Sequence, residues 1–371
     1  MTEVKKREII YEIIRVIAMI FVITIHQLDK FTSAFNNPIQ HQLLSIIFLT
    51  CNGLFFMLSG KFALNFNYEE KGCYKKYYLS KFIKIIIPVL VYMAIKELYL
   101  MHFTFGQEIT IKSFIKAYTL SVIEGYVVTE YWFIYYLIAN LLVAPFIARI
   151  FRKMTDGEFK LFLGICLLCN ALSVYTQWTG HIFAVPFYLS GMNIYFFLGY
   201  FIDRISSTEK QKKFFIGLGI VSYILTFISL QNGMTINIFD VAPTMTFVVT
   251  MIYILIRDGI KVKKLEKTIL VLGKYSFSIY LLHVIMMDFM TWIFPYKEGM
   301  AISIYVIIKV IMILISSLLT AIILDNTIIK LLKDVVIKID NFIVNKIEDT
   351  KKKKQLIERE MMINEKKETI K

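Results

Sequence analysis

The chain has 371 residues, of which 57% are hydrophobic and 19% charged, with a mean hydropathy of +0.63. A soluble domain carries about 25% charged residues, so this composition excludes a water-soluble fold, and the length is taken up by membrane spans. The net charge of +14 would suit nucleic acid, but its distribution along the chain argues against that partner.

The start, MTEVKKREII, is basic and then apolar. The apolar stretch that follows runs for about 20 residues, longer than a signal-peptide core, and predicts a retained first span. Ten spans are expected, at roughly 9–28, 42–64, 82–101, 131–148, 159–176, 183–202, 214–231, 241–256, 268–293 and 301–324. Each comes near the length that crosses a hydrocarbon core of about 30 Å. The apolar runs are continuous rather than alternating, which predicts helices and excludes a barrel. With the N-terminus inside, the inner segments hold 33 Lys and Arg and the outer loops four. That asymmetry places both termini in the cytoplasm and assigns the charge to topology and anionic lipid.

The longest outer connection, roughly 102–130, contains IKSFIKAYTLSVIEGY, whose helical apolar spacing predicts a surface-lying helix. The inner loop NFNYEEKGCYKKYYLSK mixes Lys with Tyr, a composition that suits a membrane interface or phosphate binding. Cys166 and Cys169 form a CxxC within FLGICLLCNALSVY. With no second pair and no clustered His they read as buried apolar residues, and no metal is expected. Beyond residue 325, Ile328, Leu331, Leu332, Val335, Ile339, Phe342 and Ile343 fall on one helical face. A transmembrane domain, 1–325, is therefore followed by a cytoplasmic amphipathic helix and a solvated charged tail, 326–371.

Ionisable residues inside spans usually face the bundle interior and mark a site or pathway. Arg15 and His26 lie eleven residues apart in the first span, which puts them on one helix face, within about 20° and separated by about 16 Å. Glu12 stands one turn before Arg15, close enough to pair with it. A guanidinium and an imidazole at that separation could hold the anionic end of a donor and take a proton near its reactive end. The alternative is that Arg15 snorkels to the inner interface and His26 sits among outer headgroups. The second span ends GLFFMLSGKFAL, where Gly53, Ser59 and Gly60 allow close helix approach. In the ninth span, GKYSFSIYLLHVIMMDFM, His283 comes to a depth near that of His26. The two histidines either share a site or pack independently. Asn140 and Asn170 suit helix–helix hydrogen bonds.

These motifs resemble the acyltransferase 3 family of membrane acyltransferases, which includes O-acetyltransferases of surface polysaccharides. EIIRVIAMIFVITIH matches the family's Arg, ten residues, His arrangement. GLFFMLSGKFAL resembles its FFxLSG element, KFIKIIIPVL its basic segment before a proline, and YWFIYYLIANLLVAPFI its Trp-Phe span. YFFLGYFIDR and SFSIYLLH resemble its Leu-Gly-Tyr and Tyr-x-x-His segments.

The resemblance implies transfer of an acyl group, acetyl first, from coenzyme A to a surface polysaccharide or its lipid-linked precursor. His26 would be the general base or a transient acyl carrier, and Arg15 would position the donor. Ser59, Lys61, Lys81, Lys84, Trp132 and His283 would bind substrate. Acyl-CoA enters as substrate, with no bound cofactor. Expected partners are the bilayer, the glycan acceptor, and a polysaccharide synthase complex or a second copy of the chain. A transporter of glycan intermediates is the rival reading, since buried Arg, His and Lys also suit a permeation path.

Overall fold

The computed structural model describes residues 3–30, 38–124, 131–181, 191–235, 240–260, 265–297 and 300–368, and every element among them is a helix. The bundle opens with α1 (Glu3–Lys30), α2 (Pro38–Phe48), α3 (Thr50–Leu64), α4 (Cys73–Lys81) and α5 (Ile87–Tyr99). Then come α6 (Ile111–Glu124), α7 (Trp132–Lys153), α8 (Asp156–Trp178), α9 (Asn193–Ile205) and α10 (Glu209–Gln231). It closes with α11 (Pro243–Gly259), α12 (Glu266–Ile293), α13 (Ile302–Asn326) and α14 (Ile328–Glu368). Two pairs run on with little interruption. α2 and α3 meet at Leu49, and α4 passes into α5 through a π turn, Phe82–Ile86.

Eight helical stretches among the described residues are long and apolar enough to cross a membrane. They coincide with eight of the ten expected spans. The other two expected spans, 183–202 and 241–256, correspond to α9 and α11, which have 13 and 17 residues. The first residues of the former lie outside the described ones. At about 1.5 Å per residue α9 covers only about 20 Å, short of the hydrocarbon thickness.

The outer surface fits a lipid environment. Ile304, Ile308, Ile311, Ile315, Leu319 and Ile323 form an exposed apolar stripe along α13, and Phe214, Val221, Leu225 and Ile228 form another along α10. Stripes of this extent are not tolerated in water. The chain is a multi-pass membrane protein.

Where no solvent drives apolar residues together, small residues decide how close helices come. α9 is the most enclosed element, with Ile194 to Ile202 buried without a gap, and it crosses α3 at two glycines. A Cβ on Gly60 would fall 1.8 Å from the Phe196 carbonyl oxygen, and one on Gly199 would fall 1.9 Å from that of Met57. The LSG and LGY motifs therefore make one backbone-to-backbone seam. Polar bonds support it. The Asn140 amide on α7 donates to Asn193 at 2.9 Å, and Asn170 on α8 accepts from the Gly191 amide at 2.6 Å. All four cysteines are buried and unbridged.

α6 carries exposed Ile111, Ile115 and Ile123 and packs against α5. The predicted stripe on α14, from Ile328 to Ile343, is exposed as a continuous apolar face. α14 runs on to Glu368, through the charged segment expected beyond the amphipathic face. No Gly or Pro interrupts 328–368, and its Lys and Glu favour helix. Lys75 pairs with Asp340 at 2.7 Å and fixes α14 against α4.

Candidate active site

Two cavities open into the bundle, one nearer the start of α1 and one nearer its end. The proximal cavity has a volume of about 490 Å³. Arg15 of α1, Ser59 of α3, Lys84 of the π turn, Lys274 of α12 and Lys333 of α14 supply its polar wall, with Asp325 the one carboxylate. The cations outnumber the carboxylate four to one, so this cavity suits an anion.

Each side chain gets there for a local reason. The Arg15 guanidinium donates to Glu12, one turn earlier on the same face. Gly273 makes room for that pair, since a Cβ there would meet Glu12 Oε2 at 2.0 Å. Asp325 accepts from the Tyr92 hydroxyl at 2.8 Å and from the Ser278 hydroxyl at 2.7 Å. These bonds hold α5, α12 and α13 together at the cavity wall.

The distal cavity, about 500 Å³, has the opposite character. Val22, Ile25, His26 and Asp29 line it from α1, at the i, i+3, i+4, i+7 spacing of a single helix face. Leu49, Cys51 and Asn52 come from the α2–α3 break, Trp132 and Tyr136 from the first turns of α7, and Asp240 from the residues just before α11. The Asn52 amide donates to Asp240 Oδ2 at 3.2 Å, and the Tyr195 hydroxyl donates to the Asp240 carbonyl at 2.9 Å. Burial pushes the Asp240 carboxyl up to about 7, against the Asn52 amide that holds it down. Asp29 also lies 4.0 Å from His41.

Between the cavities stands a cluster of rings. His26 and His283 have their ring centroids 5.2 Å apart, and Tyr280 lies 5.4 Å from His283. His283 Nδ1 donates to the Tyr280 carbonyl. This fixes the tautomer, leaving Nε2 as the basic nitrogen. His283 is fully buried and lines neither cavity, so it touches the site through His26 and Tyr280.

The helix geometry of the first span thus delivers Arg15 to one cavity and His26 to the other, and α12 brings His283 to His26. Ser59 and Lys84 line the proximal cavity, and Trp132 the distal one. Lys61 and Lys81 do not join them. Lys61 pairs with Asp203 and lies 4.8 Å over the Tyr11 ring. It belongs to an ion network in which Arg257 bonds Asp203 at 3.0 Å and Asp258 at 2.8 Å. Lys81 lines a separate groove with Tyr78, Leu142 and Asp340. The π turn separates the two lysines. Within it the Ile87 N–H bonds the Phe82 carbonyl, i to i+5, and Ile85 lines both the groove of Lys81 and the cavity of Lys84.

The model of a family described as an acyltransferase domain, acyltransferase 3, matches residues 9–321. The chain belongs to the acyltransferase 3 family. It is a membrane acyltransferase, which decides for the enzyme over the transporter. No curated protein and no solved structure matches the chain. The family match spans both cavities except for Asp325, Asn326 and Lys333. Those three, with Lys274, Asn52 and Asp240, carry no motif or spacing in the sequence that marks them. Tyr280 carried a signal there, as the Tyr of the Tyr-x-x-His segment. Asp325 and Lys333 read as the end of a span and the start of a tail, and only the fold returns them to the site.

Proposed function

We propose that this acyltransferase moves an acyl group, acetyl first, from coenzyme A to a hydroxyl of a cell-surface polysaccharide or its lipid-linked precursor. The donor sits in the proximal cavity, which faces the cytoplasm of a bacterial cell, and the acceptor in the distal one. The observation that carries this reading is the contact between His26 and His283 at the boundary of a basic cavity and an acidic, aromatic-walled one. Phosphates favour the guanidinium and lysines of the first. Stacking rings and hydrogen-bonding carboxylates suit a sugar in the second.

In the reaction, His26 takes the proton of the acceptor hydroxyl as its oxygen attacks the thioester carbonyl carbon. The carbon–sulfur bond breaks, and the leaving thiolate takes the proton back from the imidazolium. An imidazole suits both transfers, because its ordinary pKa is close to neutral. Arg15 holds the donor, with Glu12 setting the direction of its guanidinium. His283, its ring tilted against that of His26, orients it.

Coenzyme A binding to the detergent-purified chain tests the placement. A charged hydrogen bond is worth about 1.5–3 kcal/mol, so Arg15→Ala and Lys84→Ala should each weaken binding by roughly 10- to 150-fold. Lys81→Ala and Lys61→Ala should change it little. Unchanged affinity in an Arg15→Ala, Lys84→Ala double variant would contradict a donor in this cavity.

A further inference from the structure

Among the described residues, Tyr280 alone lines both cavities. Its side chain is almost wholly buried. The ring is held on three sides, by Phe55 at 6.2 Å, Phe133 at 5.4 Å and His283 at 5.4 Å. Phe55 and Phe133 belong to the proximal wall, while Trp132, the neighbour of Phe133 in sequence and packed on it at 6.2 Å, belongs to the distal wall. The partition is thus a layer of aromatic rings with Tyr280 at its centre, and His26 lies just beyond it on the distal side. A basic cavity and an acidic one are kept apart by the thickness of a single side chain.

We propose that Tyr280 is a positioning residue that divides the two cavities, admitting the acyl group to His26 while keeping water and ions from passing. The proposal rests on the acyl-transfer reading for its chemistry, but the division of the cavities stands on the geometry. A thioester next to a general base is exposed to water as well as to the acceptor, and a closed site suppresses that side reaction. If the partition opens, water attacks the carbonyl carbon and the carbon–sulfur bond breaks. A carboxylate, free coenzyme A thiol and a proton are released without transfer. The ring carries this role, since its contacts are made by its faces and edge, so Tyr280→Phe should preserve it.

Two measurements on the full chain in proteoliposomes test the inference. In the first, the vesicles hold a pH-sensitive dye and a proton gradient. Wild type and Tyr280→Phe should keep the gradient equally well, and Tyr280→Ala should dissipate it several-fold faster. With acetyl-CoA as the only substrate, Tyr280→Ala should also release thiol several-fold faster than wild type. In the second, Tyr280→Cys is made in a chain whose four natural cysteines are replaced by serine, and a membrane-impermeant maleimide should reach it from either face. This variant covers the case in which the alanine protein does not fold. Tyr280→Ala vesicles as tight as wild type, or a cysteine at 280 labelled from one face only, would overturn the divider. Absence of thiol release from every variant alongside a leaky Tyr280→Ala would instead count against acyl-CoA as the donor and leave the divider standing.

Discussion

A histidine that is only half-buried at the rim of a cavity can exchange a proton with what enters, and a fully buried one cannot. His26 is the first kind and His283 the second, so their replacement should separate a proton-transfer role from an orienting one. General base catalysis contributes about 10²–10⁴ in rate, and His26→Gln should lose most of it at normal protein abundance, whereas His283→Gln should lose less. Acyl transfer by membranes of matched protein content measures both, and near-normal transfer by His26→Gln would move the catalytic role elsewhere. Asp240 offers a second handle at this scale. Burial pushes its folded carboxyl up to about 7, against about 3.9 in an unfolded chain. The folded state then holds a proton that the unfolded state has lost, and stability falls as pH rises between those values. Asp240→Asn removes that fall, so its apparent melting temperature should gain on wild type as pH rises from 5 to 7.5. Equal melting at both pH values would contradict the burial of this carboxyl. Arg15, His26 and Glu12 were legible in the sequence because a single helix fixes their relation. The partners of Asp240 and Tyr280 come from helices far apart in sequence, and no local period announces them.

At the scale of elements, two glycines determine where α3 and α9 meet. Because a Cβ at Gly60 or Gly199 would strike backbone rather than a flexible side chain, the helices must separate to admit it. Overpacking of this kind costs roughly 1–3 kcal/mol, so Gly60→Ala and Gly199→Ala should each lower the melting temperature in detergent. Gly217→Ala on α10, where nothing lies within 4 Å of the added carbon, should not. A loss equal in all three would contradict the seam, because Ala favours a helix interior over Gly by about 1 kcal/mol and only a clash reverses that sign. The long spans were legible from hydropathy. α9 was less so, because its described part, Asn193–Ile205, is buried along its length, and hydropathy does not distinguish lipid from protein as the neighbour. The π turn before Pro88 was hidden for another reason. A proline deprives the preceding turn of an N–H donor, and whether the chain kinks or widens depends on what packs around it. Here it widens, and Lys81 lines a groove beside the proximal cavity rather than the cavity itself.

For the whole molecule the charge asymmetry and the two cavities make one statement about direction. If the lysine-rich segments are cytoplasmic, the basic cavity opens toward the coenzyme A pool and the acidic one toward the cell surface. A Lys210→Cys variant should then resist an impermeant maleimide added outside whole cells and react once the membrane is permeabilised. Labelling from outside would invert the direction of transfer. Acylation of a surface glycan that depends on His26 is read from the acyl content of surface polysaccharide. Cells lacking the gene would be complemented with wild type or with His26→Gln at equal membrane abundance. Acyl groups should be lost without the gene, restored by wild type and not by His26→Gln. Acylation unchanged in the absence of the gene, or restored in full by His26→Gln, would contradict that dependence.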